Sequence, residues 1–272
     1  MASDQVRHRI DVARSDSERL EQSLRGLTAT QLAQDSRCDR WTVADVVAHL
    51  AFVAQFQTRM IGRGLQGDDS MPEAARQQGP DAPPASEMIA QGALSLRERL
   101  GEGLLDTFHE RYQELFRLLD SMTPEDYAKH CWHPRGDTSV ADFVDLVVNE
   151  LALHGWDALS PLVPTYSIDK GAIPAGLDLC SNVLDRRVRA EPRMLGPIRF
   201  GFELTDGVGS MPDLVVGGGR SGVNATFHTD GEALLLMVYG RLSMDDAMSS
   251  GRLTVSGDEA LARDLGSRLT GI

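Results

Sequence analysis

The chain has 272 residues, of which 40 are acidic and 27 basic, for a net charge of −13. That balance repels phosphate backbones and anionic lipid head groups, and no basic patch offsets it, so neither nucleic acid nor a membrane surface is an expected partner. The length suits two domains, no run nears the roughly 18 apolar residues of a spanning helix, and three well-separated cysteines (Cys38, Cys131, Cys180) with no apolar N-terminal run lead us to expect a reduced, cytoplasmic protein.

From about Ser3 to Leu27, Val6, Ile10, Ala13, Leu20, Leu24 and Leu27 form one apolar stripe, which predicts a long opening helix. Thr28 reads as the N-cap of a short helix after it. Thr42 reads as the next N-cap, because Asp45 can reach back to its backbone N–H while Trp41 and Val46 form a hydrophobic staple. The helix that follows carries His49 beside Val46, Val47 and Leu50. Gly62 to Ala85 holds four glycines and four prolines among polar residues, which is loop chemistry and suits a lid.

Apolar spacing from Met88 to Leu119 predicts another helical region, broken near Gly101 and Gly103 and ending near Ser121. The start signals then repeat. Thr123 with Asp126 echoes Thr28 with Gln31, and Ser139 with Asp142 echoes Thr42 with Asp45, so each half reads as a long helix, a short capped one and a ligand-bearing one. The economical packing is a four-helix bundle, and metal sites in bundles are built from facing helices. His130-Cys131-Trp132-His133 reads as a loop leading into a Pro134–Gly136 turn, structural or pocket-lining rather than a ligand cluster.

On the last of these helices Glu150 and His154 stand four residues apart, so they leave one face about a pitch apart. With His49 they make a candidate two-His-one-carboxylate site. The spacing alone also fits a solvated Glu–His pair and a buried core histidine. Asp157, three residues past His154, can orient that imidazole or simply end the helix.

After Asp157 prolines and glycines mark a connection, followed by a helix from about Leu177 to Ala190. Strands are predicted at Gly196–Leu204, Asp213–Val216 and Val223–Phe227, a helix capped by Asp230 through Tyr239, a strand at Arg252–Val255 and a closing helix capped by Asp258. These make a small α+β domain. Gly217-Gly-Gly219 lacks the Lys and Ser or Thr of a phosphate loop.

The motifs W-T-V-x-D-V-V-x-H-L at 41–50 and E-L-A-L-H-G-W-D at 150–157, with Gly251–Asp258 in the C-terminal part, resemble the mycothiol-dependent maleylpyruvate isomerase family of DinB-like metalloenzymes. The resemblance covers nearly the whole chain. It implies an α + (α+β) fold: a DinB-like four-helix bundle over 1–160, a linker and connecting helix over 161–192, and a sterol-carrier-protein-like α+β domain over 193–272. It implies zinc on His49, Glu150 and His154 with positions left for water or a thiol, and mycothiol as thiol cosubstrate. Arg241 is the implied catalytic arginine, reaching a carboxylate substrate from the C-terminal domain, with Arg220 its rival. The implied activity is cis-trans isomerisation or S-transfer on an electrophilic small molecule, in a monomer or homodimer. A non-catalytic lipid- or small-molecule-binding protein and a metal-dependent hydrolase stay open, as does iron or nickel in place of zinc.

Overall fold

The computed structural model describes residues 3–76, 83, 85–134, 136–190, 198–216 and 222–269. They fall into two compact units, Met1–Ser167 and Ile168–Ile272.

In the first unit the opening helix α1, Ser3–Arg25, buries Val6, Ile10, Ala13, Ser17, Leu20 and Leu24. That alternating three-four spacing keeps one stripe turned to the core. After it come α2 (Ala29–Leu32), α3 (Val43–Leu65), the single turn α4 (Glu73–Arg76), α5 (Ala85–Leu100), α6 (Leu104–Asp120) and α7 (Val140–Leu159). The bundle consists of α1, α3, α6 and α7, with α5 laid on α3. Its contacts are α1 with α6 and α7, and α3 with α6 and α7; exchanging α1 for α6 and α3 for α7 returns the same set. The halves that echo in sequence thus occupy equivalent places.

Local chemistry starts these helices where expected. Thr42 and Ser139 each complete a reciprocal capping box, with Asp45 and Asp142, and Thr28 does so with Gln31. Each box satisfies two backbone donors that a helix start leaves open. Gly101–Gly103 forms a 3₁₀ turn dividing α5 from α6.

Two expectations are corrected. The loop predicted from Gly62 begins later, because α3 runs to Leu65 and encloses Gly62 and Gly64; residues 77–82 and 84 of the expected lid lie outside the described residues. His130–His133 is strand β1, paired with β2 (Gly136–Ser139) in an antiparallel hairpin whose Cys131–Thr138 pair faces inward. The two segments meet at one contact. A side chain at Gly64 would put its Cβ 2.5 Å from Cys131 Sγ and 2.6 Å from the His130 carbonyl oxygen, so the glycine is a packing surface for the hairpin. Gly64→Ala gains about 1 kcal/mol of helix propensity, yet the overlap with backbone costs more, so a net loss of about 1–2 kcal/mol is expected. Urea denaturation checks it; an alanine variant as stable as wild type would contradict this contact.

The second unit begins with α8 (Ile173–Ala190), which packs on α9 (Gly231–Val238). Strands β3 (Ile198–Leu204), β4 (Leu214–Val216), β5 (Ala225–Thr229) and β6 (Leu253–Gly257) form one sheet in the order β4-β3-β5-β6, parallel only between β3 and β5. Along β5, Ala225, Phe227 and Thr229 are buried while Thr226 and His228 are less so, the period of a one-faced strand. Helix α11 (Glu259–Ser267) packs on β5 and β6, and α10 (Met244–Ser249), absent from our sequence reading, packs on β6. Its signal was the Ser243–Asp246 cap. Gly217–Gly219 and Arg220 lie outside the described residues.

Asp230 caps α9 by accepting from Ala233 N–H, and Arg252 Nε donates to its other oxygen at 2.8 Å. Burial alone would raise this carboxyl, but the guanidinium and the helix N–H hold it below its ordinary value. A lowered folded pKa means stability present above the unfolded value of about 3.9 and lost as pH falls through the folded one. Asp230→Asn should therefore melt lower than wild type at pH 6, and the gap should narrow as pH falls below about 3.9, read by thermal denaturation; a gap independent of pH would contradict the ion pair.

Candidate metal centre

The Thr42 and Ser139 caps set where α3 and α7 begin, and packing of α3 on α7 then faces His49 toward Glu150 and His154. His49 Nε2 lies 3.1 Å from Glu150 Oε2, and His154 Nε2 lies 3.4 Å from that same oxygen. The two imidazole rings meet edge to face, with centroids 4.5 Å apart. One donor atom from each residue falls within 4.8 Å of the others. The structure therefore brings together three of the five expected site residues around one point.

Asp157 is the fourth. Its carboxylate is fully buried and its Oδ2 lies 2.9 Å from His154 Nδ1. A proton on Nδ1 completes that hydrogen bond and leaves Nε2 with a lone pair aimed at the Glu150 oxygen. Two lone pairs facing each other at 3.4 Å repel unless something positive lies between them. In the metal-free protein a proton serves: burial pushes the His154 imidazole down, but bonds to Asp157 and Cys38 and the charge of Glu150 carry it up to about 10. His49 moves the opposite way, depressed first by burial and then by the neighbouring His154. A cluster that recruits a cation in this way, with two imidazoles and a carboxylate as donors, fits a divalent ion such as zinc.

Arg241, the fifth, follows α9 in the second unit and donates from Nη1 to the Tyr239 carbonyl at 2.7 Å.

Three buried or half-buried polar residues of the first unit escaped sequence reading. Tyr112 of α6 has a fully buried hydroxyl whose pKa is raised by burial and by the Glu150 charge, and Gln57 of α3 is buried eight residues past His49. Neither Tyr112 Oη nor Gln57 Oε1 meets a hydrogen-bond partner among the described residues. Cys38 Sγ donates to Asp157 Oδ2 at 3.1 Å. Tyr112 looked like one more apolar position of a helix stripe, and Cys38 stands 116 residues from His154, so neither carried a local signal.

Comparison with known proteins follows the same division into units. The model of the mycothiol maleylpyruvate isomerase N-terminal domain matches residues 13–159, and that of the SCP-2 sterol transfer family matches residues 184–269. The crystal structure of the mycothiol-dependent maleylpyruvate isomerase is similar over 92% of both chains, with a TM-score of 0.62 and 12% identity. The crystal structure of a histidine-to-alanine mutant of that enzyme gives the same values. At that identity the likeness establishes a shared fold. No curated protein matches the sequence. Since the first match takes in more than half of the 272 residues, the chain belongs to the mycothiol maleylpyruvate isomerase N-terminal domain family, with an SCP-2-like α+β unit after its helical bundle.

Proposed function

We propose that this protein is a zinc-dependent enzyme that uses mycothiol as a thiol cosubstrate, either to isomerise a maleylpyruvate-type cis double bond or, as a thiol S-transferase, to add that thiol to another electrophilic small molecule. The observation that carries this reading is the convergence of His49 Nε2 and His154 Nε2 on Glu150 Oε2. His49, Glu150 and His154 would hold the ion. When bound, it would lower the pKa of an incoming thiol and supply thiolate at neutral pH.

The chain's own groups divide the remaining work. Asp157 keeps the Nδ1 proton on His154, so that Nε2 stays a donor atom. The apolar walls of α3 and α7 limit water around the centre, which strengthens each charge interaction there. Mycothiol thiolate adds to the activated cis double bond, the resulting single bond rotates, and elimination returns the thiolate and leaves the trans isomer. Arg241 is assigned to the substrate carboxylate, since a guanidinium recognises that group bidentately.

The test is thiol and substrate consumption with mycothiol and a panel of maleyl, epoxide and quinone-like electrophiles. Glu150→Ala should lower the rate by about a hundredfold or more, given the several kcal/mol a metal ion contributes. Equal rates in the two proteins would refute the mechanism. Turnover of an ester or amide without added thiol would favour a hydrolase instead.

A further inference from the structure

The residues behind His154 form a second set of metal donors. Cys38 Sγ lies 3.1 Å from Asp157 Oδ2 and 3.8 Å from His154 Nδ1, which is itself 2.9 Å from Asp157 Oδ2. One donor atom of each residue lies within 4.8 Å of the others, as in the His49–Glu150–His154 cluster. We propose that Cys38, His154 and Asp157 form a second site, selective for a soft cation such as Zn2+ or Cd2+, back to back with the first across the His154 ring.

The separations suit such an ion. Bonds of about 2.3 Å to sulfur and 2.0–2.1 Å to nitrogen or oxygen at tetrahedral angles put ligands roughly 3.3–3.5 Å apart, and the three observed distances bracket that range. Little rearrangement is needed.

The site is also held rigidly. The segment carrying Cys38 is tied to α7 by Arg37 N–H donating to the Asp157 carbonyl at 2.9 Å. It is closed on itself by Trp41 N–H to the Cys38 carbonyl and by Cys38 N–H to Ser36 Oγ. Asp157 is fully buried, whereas Cys38 is only half-buried, so an ion has a route in from the cysteine side. A thiolate among the donors selects soft ions over magnesium or calcium.

Binding releases two protons to solvent, one from the thiol and one from His154 Nδ1. The ion then bonds Sγ, Nδ1 and a carboxylate oxygen, and the Nδ1–H bond to Asp157 is lost. An ion already on Nε2 makes the ring a bridging imidazolate, so the second ion binds more weakly than the first. Excess soft metal thereby removes the group that orients His154, which makes the site inhibitory. The geometry stands whether or not the thiol chemistry proposed above is right.

The experiment is titration of chelator-treated protein with Cd2+, following the ultraviolet thiolate-to-Cd2+ charge-transfer band. Wild type should develop the band to one thiolate per chain; Cys38→Ser and Cys38→Ala should lack it. His49→Ala should keep the band while losing the other ion, which separates failure here from failure of the first site. No band in wild type, or an equal band in the Cys38 variants, overturns the proposal. Alkylation mapped to Cys38 should slow by about tenfold or more in saturating Cd2+, because the bound thiolate is no longer a free nucleophile. An unchanged rate overturns it equally.

Discussion

His154→Ala should abolish zinc retention and with it the thermal stabilisation that zinc confers, and it should also destabilise the metal-free protein. Zinc at a thousand times its Kd stabilises a native state that alone binds it by about 4 kcal/mol. In a unit of this size each kcal/mol moves Tm by about 2–4 °C, so wild type should melt about 8–16 °C higher with zinc than with chelator. His49→Ala and His154→Ala both break the set of three donors, and neither should show that full rise; His154→Ala takes a donor from both sites, whereas His49→Ala should keep the smaller rise that Cys38, His154 and Asp157 support. Their metal-free forms should differ, however. His49 Nδ1 has no hydrogen-bond partner among the described residues, and its Nε2 meets only Glu150, a carboxylate that keeps some exposure, so its loss costs packing and one hydrogen bond, about 1–2 kcal/mol. His154 is hydrogen-bonded to the fully buried Asp157 carboxylate, and removing it takes away the imidazole that faces that charge. Breaking a buried pair from one side costs about 3–5 kcal/mol. Calorimetry of both variants with zinc and with chelator separates the two effects. A full zinc-dependent rise in either variant would show that the ion sits elsewhere.

Much of this arrangement is legible in the sequence, for reasons that are local. The stripe from Val6 to Leu24 obeys helical periodicity, and the Thr42 and Ser139 caps depend on groups three residues apart. The Glu150–His154 pair needed only the pitch of a helix. His49 is different: its partner lies 101 residues away, and only the resemblance of the whole motif pair joined them. The same distance in sequence hid Cys38, whose backbone neighbours give no hint of Asp157. Gly64 read as loop composition because the demand for a missing side chain comes from the hairpin across from it. His130–His133 read as a loop because four residues with two histidines show too little apolar alternation to announce a strand.

Arg9 and Asp145 extend that lesson into the core, and they yield the second large effect. Arg9 of α1 pairs with Asp145 of α7 at 3.3 Å, with side chains only 4% and 5% exposed. Removing one partner takes the facing counter-charge from the other in that buried interface, so Asp145→Leu or Arg9→Met alone should cost about 3–5 kcal/mol. On the size scaling above, that is a Tm drop of about 6–20 °C. Replacing both by Arg9→Met with Asp145→Leu removes two desolvated charges together, and the double variant should recover most of the loss, where additive single effects would cost about 6–10 kcal/mol. Urea denaturation with an unchanged m-value measures it, and additive single effects would contradict the pairing. Asp145 and Glu150 point about 140° apart around α7, so the ion pair fixes the face opposite to the one that carries Glu150 and His154. The apolar double variant tests whether that matters, because a bare apolar contact between α1 and α7 tolerates small rotations that a charge pair does not. We expect it to fold with near-native stability and to bind zinc about tenfold more weakly, since donor atoms displaced by a fraction of an ångström lose the preorganisation on which affinity depends.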